Sequence, residues 1–286
     1  MAEGSRICPQ CGGLNGIDEK TCYRCGKGLP GPLASSAQGF FSNLSAEGLP
    51  ATKAIILICL VVYALCVMSD GGFRFDLSLA GAFRTSTLLR FGVLYSDLAY
   101  SEPWRLLASV FVHLGILHIG LNLMSLVSLG RSLEPHFGSA RFVLLYTLTG
   151  ILGFLASQWW YGERTYTAGA SGAIFGLVGA FVGVLFARKN PDWKRALVNN
   201  LIYAAILGFV LPANTAAHLG GFVAGIVVGA LLERERKPRA RDGVMLVLAA
   251  LCMLGSVASI VLSARSPVWK EARRFEEAAR QRSNFE

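Results

Sequence analysis

The sequence predicts an all-α protein that crosses a membrane several times, and three observations carry that prediction. Of 286 residues, 53% are hydrophobic and only 16% are charged, whereas a soluble domain of similar apolar content carries about 25% charge. The mean hydropathy is +0.49. The charges are bunched into short stretches between long apolar runs, the pattern of a chain that buries its apolar segments in lipid.

The elements follow in order. Residues 1–28 form a cysteine module. Residues 29–52 are rich in Gly, Pro, Ser and Ala and read as a flexible linker, with Phe40 and Phe41 placed to dip into an interface. The first 48 residues lack the apolar stretch and small-residue cleavage site of a signal peptide, so the first hydrophobic segment is expected to direct insertion. Seven apolar segments come next: Ala54–Met68, His113–Leu129, Phe142–Tyr161, Ala170–Ala187, Ala196–Leu211, Ala216–Leu232 and Val244–Leu262. Several fall short of the roughly 20 residues that span about 30 Å of hydrocarbon; flanking residues and snorkelling Lys or Arg make up the length. Helices are expected because a backbone in lipid must satisfy its own hydrogen bonds, and the many Gly, Ala and Ser residues suit close helix contacts. Residues 69–109 are too polar to span and read as an amphipathic insertion at the membrane surface. Residues 264–286 form a polar tail, in which Trp269 to Glu286, charged and carrying Phe275 and Phe285, reads as an interfacial or frayed helix.

The net charge of +9 does not point to nucleic acid, because the basic residues flank the spans and lack interleaved aromatics. Their placement sets orientation instead. With a cytoplasmic N-terminus, the short loops 130–141, 188–195 and 233–243 carry eleven Lys and Arg on the inner side, against one in 162–169 and none in 212–215 outside. That is the bias of a multi-pass protein with its N-terminus inside, and the N-terminal architecture suggests that the membrane is a bacterial plasma membrane. The basic tail is the dissenting feature.

Of seven cysteines, Cys59, Cys66 and Cys252 sit in apolar segments as small hydrophobes. Cys8, Cys11, Cys22 and Cys25 form two C-x-x-C-G knuckles ten residues apart. Four thiolates at this spacing suit a structural, tetrahedral zinc ion. Two disulfides are the alternative, which a cytoplasmic location disfavours. In so short a module the metal supplies most of the folding energy. The module resembles a short zinc ribbon; regulation, docking of an unknown protein partner and simple stability are all open as its role.

Polar residues inside membrane segments are costly, and five stand out: His113, His118, Asn122, Ser171 and His218. With the N-terminus inside, segments two, four and six run in the same direction, so all five fall in one layer near the outer surface. Ser171 sits in Gly169-Ala170-Ser171-Gly172, where small neighbours admit a substrate backbone and a helix N-terminus offers amides to an oxyanion. The same glycines also suit plain helix packing. His218, in Ala217-His218-Leu219-Gly220-Gly221, fits a base for the serine, a hydrogen-bonded core histidine or a pore residue. No Asp or Glu occurs in segments four or six, so a dyad, not a triad, is the natural reading. His118 and Asn122 share a helix face at i, i+4 and are candidate oxyanion donors or a structural pair. Phe175, four residues after Ser171, is placed to pack on the His218 ring or simply in the core. A metal site of His113, His118 and His218 lacks a carboxylate partner and the H-E-x-x-H spacing.

Trp104-Arg105, His113-x4-His118-x3-Asn122, Gly169-Ala170-Ser171-Gly172 and Ala217-His218-Leu219-Gly220-Gly221 together resemble the rhomboid family of intramembrane serine proteases, over roughly residues 54–232. The resemblance implies a six-helix core, here within residues 53–235, plus a seventh helix at 243–263 in a 6+1 layout. It implies Ser171 as nucleophile and His218 as base, with no cofactor for catalysis. His118, Asn122 and the serine's own N–H would hold the oxyanion, and Trp104 and Arg105 would be structural. Substrates would be single-pass membrane proteins cut near the outer end of their transmembrane segments, in the lipid bilayer. A catalytically silent relative that binds transmembrane helices is the alternative, but such relatives tend to lack the serine or histidine. A channel or transporter is disfavoured by the absence of intramembrane acidic residues.

Overall fold

The computed structural model describes residues 5–7, 14–16, 19–22, 24–29, 48–72, 83–162, 165–210, 214–235 and 242–283, with the side chains of 5–7, 14–16 and 203–210 excepted. The chain divides into two units, Met1–Glu47 and Gly48–Glu286. In the first, strands β1 (Ser5–Ile7) and β2 (Leu14–Gly16) pair antiparallel, with Ile7 opposite Leu14. Further on, the Cys22 N–H donates to Lys27 O and the Gly26 N–H to Cys22 O, both at 2.8 Å. Gly26 takes φ +69, and Thr21 bridges Gly28. Cys8 and Cys11, like Phe40 and Phe41, lie outside the described residues.

The second unit holds ten α-helices among its described residues: α1 (Pro50–Ser69), α2 (Thr85–Phe91), α3 (Arg105–Ala108), α4 (Ile116–Phe137), α5 (Ser139–Tyr161), α6 (Ser171–Ala187), α7 (Trp193–Val210), α8 (Thr215–Arg234), α9 (Asp242–Arg265) and α10 (Val268–Ser283). Seven of them coincide with the seven apolar segments. Among these, α1, α4, α5, α8 and α9 are long and apolar enough to cross a membrane, while α6 is a 17-residue apolar helix. Large apolar side chains point outward along α1 (Leu57, Leu60, Val61, Leu65) and α9 (Leu246, Val247, Leu251, Leu254), surfaces of a kind that a soluble monomer rarely exposes.

Two boundaries differ from expectation. Residues 50–52, read as linker, are the first turn of α1. Pro50 suits that turn because its missing N–H would have no helical partner. His113 precedes α4, which begins only after Gly115, so it occupies a loop and not a helix. The polar tail, read as an interfacial or frayed helix, is largely the helix α10, and it docks against α2.

Burial at the start of α1 depends on a distant carboxylate. Leu49 gives no side-chain cap. Instead Glu134, near the end of α4 and 2% exposed, accepts from Ala51 N (2.8 Å), Thr52 N (2.9 Å), Thr52 Oγ1 (2.6 Å) and Ser139 Oγ (2.7 Å). One side chain thus joins the ends of α1, α4 and α5. Glu134→Ala leaves four donors without this acceptor. Each buried orphan costs about 1–3 kcal/mol, and water entering the gap recovers part of that. The expected loss is about 2–4 kcal/mol, read as a lower thermal midpoint in detergent; an unchanged midpoint would refute the role. Polar contacts close the same end of the bundle: Glu233 of α8 meets His136 of α4 (2.7 Å) and pairs with Arg188 beyond α6 (2.8 Å), and Arg141 of α5 pairs with Asp242 of α9 (2.9 Å).

The centre of the unit is a contact of backbones. On α6 and α8, glycines face each other so closely that a Cβ at Gly221 would fall on Gly172 O, one at Gly225 on Gly176 O, and one at Gly179 on Phe222 O. Helix α5 joins them: a Cβ at Gly153 would lie 2.6 Å from Ala217 O. Close approach of this kind multiplies van der Waals contact where lipid supplies no hydrophobic drive between helices.

Between α1 and α4, residues 83–115 fold into short helices and a strand. Arg105, fully buried, donates from Nε to Glu102 Oε2 (2.5 Å) and from Nη1 to Leu89 O (2.7 Å) and Val93 O (3.2 Å). Burial draws its pKa down, and the Glu102 carboxylate opposes that shift. Trp104 forms the N-cap of α3; among the described residues its Nε1 has no hydrogen-bond partner. Strands β3 (Leu94–Tyr95) and β4 (Tyr166–Thr167) pair antiparallel and tie this segment to the stretch that leads into α6. Tyr95 and Tyr166 pack 4.7 Å apart across the pair.

Candidate active site

Three helices present their N-terminal ends to one place. Ser171 is the first residue of α6, His218 lies in the first turn of α8, and His118 lies in the first turn of α4. The helices run in parallel because each is followed by one that returns, so their starts share an end of the bundle.

Ser171 Oγ and His218 Nε2 are 2.8 Å apart, within the reach needed to pass a proton. His218 is 7% exposed, and Ser171 is partly open. The ring of Phe175 stacks on that of His218, centroids 4.3 Å apart and planes 15° apart. Among the described residues no carboxylate is bonded to the imidazole, and the Phe175 ring is the group stacked on it.

The helix carrying His218 is itself anchored. Asn214 is its N-cap: Oδ1 accepts from Ala217 N (2.9 Å), while Nδ2 donates to Ser157 Oγ (2.6 Å) on α5 and Thr167 Oγ1 (3.1 Å) on β4. Asn214, Ser157 and Thr167 were not foreseen. The signals were present: Asn just before an apolar run is a cap signature, and Ser157 is a polar residue inside a membrane segment.

Gly169 has φ +113, where an L side chain is strained, and a Cβ there would sit 2.7 Å from His118 Cε1 and Nε2. Glycine therefore serves twice, for the turn and for the approach of the imidazole. His118 Nδ1 accepts the Leu114 N–H at 3.3 Å. That assigns the ring proton to Nε2, the atom turned toward the Gly169–Ser171 turn, as a donor. Ala170 offers no side-chain cap to α6, so the first amides of the helix lack an internal acceptor. Donor imidazole and uncapped helix start make a pocket suited to an oxyanion. Asn122, 6% exposed, uses one Nδ2 hydrogen on His118 O (2.7 Å) and keeps a second. Gly172 packs between α5 and α8.

His113 is fully buried, with Nδ1 3.2 Å from Phe111 O and its ring 5.2 Å from that of His118. Among the described residues no three His, Cys, Asp or Glu side chains converge as metal ligands. Trp104 and Arg105 stand apart from the dyad, in the α1–α4 segment.

Fold and site define a helical, multi-pass integral membrane protein in which a serine and a histidine from two helices meet. Residues 100–235 match the family described as the rhomboid domain. The chain is 34% identical over 206 residues to rhomboid protease GluP of Bacillus subtilis, covering 70% of this chain and 39% of that protein. It is 33% identical over 141 residues to rhomboid-type serine protease 2 of Emericella nidulans, covering 47% of this chain and 28% of that one. To YdcA of Bacillus subtilis, a rhomboid-type protein, it is 30% identical over 145 residues, covering 49% of this chain and 73% of the relative. The chain thus spans less than half the length of the first two. It belongs to the rhomboid family.

Proposed function

We propose that the chain is an intramembrane serine endopeptidase that cuts single-pass membrane proteins near the outer end of their transmembrane segments. The observation that supports this most is the 2.8 Å contact between Ser171 Oγ and His218 Nε2 beside uncapped helix amides. The relative from Bacillus is named a rhomboid protease and that from Emericella a rhomboid-type serine protease.

The chemistry follows from the atoms. His218 Nε2 takes the Ser171 hydroxyl proton as Oγ attacks the scissile carbonyl carbon. The carbonyl oxygen becomes an oxyanion, held by His118 Nε2–H and the Ser171 amide, with Asn122 Nδ2 adjoining. As the tetrahedral species collapses, the imidazolium returns its proton to the departing amine, leaving an acyl-Ser171. Water then loses a proton to His218, attacks the ester and frees the acid. At about 1.5 Å per residue the 17 residues of α6 reach about 25 Å, short of the roughly 30 Å core. A serine at its start therefore lies below the outer surface, where water must come down to the ester and a substrate helix must unwind.

In this reading α1 and α4–α8 form the six-helix core and α9 the added seventh helix. The N-terminus is cytoplasmic, in a bacterial plasma membrane, and nucleic acid is no partner. Cys8, Cys11, Cys22 and Cys25 hold a structural zinc ion. Supporting this are the four-thiol donor set and the Cys22–Lys27 turn, whose Gly26 has the positive φ that a knuckle needs. The purified chain is expected to contain one zinc per molecule by elemental mass spectrometry, lost in the Cys22→Ser/Cys25→Ser variant; no zinc in either would reject the site. A partner for this module is of unknown identity.

The test of the enzyme reading is cleavage of a generic single-pass substrate in liposomes by wild type and by Ser171→Ala. Cutting by the first alone supports it. Binding of the substrate helix without cutting by either favours a catalytically silent role.

A further inference from the structure

We infer that the C-terminal helix α10 is a positioning element for the turn that carries Ser171, acting through Glu276; the inference rests on the serine-protease reading of that site. Residues 242–283, which form α9 and α10, lie outside the stretch that matches the family. They nevertheless reach the active-site end of the bundle.

The contact starts at α2. That helix begins behind Arg84, which provides no side-chain cap. Its cap comes from 190 residues away: Glu276 Oε1 accepts the Ser86 N–H at 3.0 Å, and Oε2 accepts the Ser86 hydroxyl at 2.6 Å. A carboxylate at a helix N-terminus also meets the positive end of the helix dipole. Two further contacts hold the C-terminal region in place. Ser266 Oγ donates to Glu102 Oε1 at 2.5 Å, and the Arg90 guanidinium lies 4.8 Å over the Trp269 ring.

From α2 a continuous set of bonds leads to the serine. Arg105 holds Leu89 O, at the end of α2, and Val93 O just before β3. Strand β3 pairs with β4. Beyond β4, the Gly169 N–H donates to Ser109 O at 2.9 Å. Gly169 is the left-handed residue two positions before the nucleophile, so a shift of the α1–α4 segment moves the turn that presents Ser171. Glu276 touches neither dyad nor pocket; it acts on them through Ser86 and α2.

The test uses the full chain in liposomes, with Glu276→Ala, Ser86→Ala, their double variant and Glu276→Gln. Glu276→Ala is expected to lower kcat about tenfold with KM within about twofold, less than the roughly 10²-fold that a misplacement of about 1 Å costs. The thermal midpoint is expected to move by only the few degrees that one lost cap brings. Because both partners act through one contact, the double variant loses no more than either single one. Glu276→Gln, which keeps an acceptor oxygen for the Ser86 amide, retains more activity. Amide hydrogen exchange gives a readout free of cleavage: in Glu276→Ala, exchange quickens at residues 85–95 and 165–169. Unchanged kcat, additive losses, or quickened exchange confined to α10 would overturn the inference. If wild type cuts nothing yet exchange spreads to 165–169, the protease reading fails and the coupling of α10 to that turn stands.

Discussion

Ser171→Ala and His218→Ala are each expected to reduce kcat for a single-pass substrate by about 10⁴–10⁶, the range in which removal of a serine protease's nucleophile or base falls. The two side chains act as one unit, since the hydroxyl is a poor nucleophile until the imidazole takes its proton. The double variant is therefore expected to be no slower than either single one. His118→Ala removes an oxyanion donor and leaves the dyad intact, so a smaller loss of about 10²–10³ is expected. The measurement is initial rates in liposomes, paired with a serine-reactive phosphonate probe. Wild type and His118→Ala take the label, and Ser171→Ala does not. A Ser171→Ala protein that still cuts would place the nucleophile elsewhere.

Gly225→Val is expected to carry the second largest effect, through packing alone. A Cβ on Gly225 lands on the carbonyl of Gly176, with Gly176 C at 2.7 Å and Cα at 2.9 Å. These are backbone atoms of a facing helix, so no side chain can swing aside and α6 must separate from α8. Overpacking a core costs about 1–3 kcal/mol and occasionally more; a clash of backbone with backbone belongs at or above the top of that range. Because α6 carries Ser171 and α8 carries His218, any folded fraction holds the dyad too far apart for proton transfer. Thermal unfolding and probe labelling should fall together. Gly120→Ala, with nothing within 4 Å of the added methyl, is the control and should melt as wild type does. Equal midpoints for the two variants would show that the α6–α8 contact is not close.

Much of this protein was legible in its sequence, for identifiable reasons. The free energy of moving a side chain from water to lipid is local and close to additive, so the seven apolar helices were marked by composition alone. Polar groups are expensive in lipid, which singled out His118, Asn122, Ser171 and His218 against an apolar background. The short knuckle spacings of the cysteines were equally plain. Helix ends were less so, because some are set by caps from other parts of the chain. Glu134 accepts from the amides of Ala51 and Thr52 at the start of α1 across more than 80 residues, whereas Asn214, Asn190 and Ser266 accept from amides two or three positions on at or near the starts of α8, α7 and α10.

What only the tertiary structure decided are the relations between residues distant along the chain. Ser171 and His218 are 47 residues apart in sequence and 2.8 Å apart in space. Ser86 and Glu276 are 190 residues apart and share two hydrogen bonds. A sequence states which groups can pair and how costly it is to leave them unpaired. Which pairs form depends on helix directions, on glycine contacts that let backbones touch, and on a tail that folds back as a helix. Those follow from packing the whole chain at once: a helix in the tail is a local matter, but its seat against Ser86 is set by a partner 190 residues away.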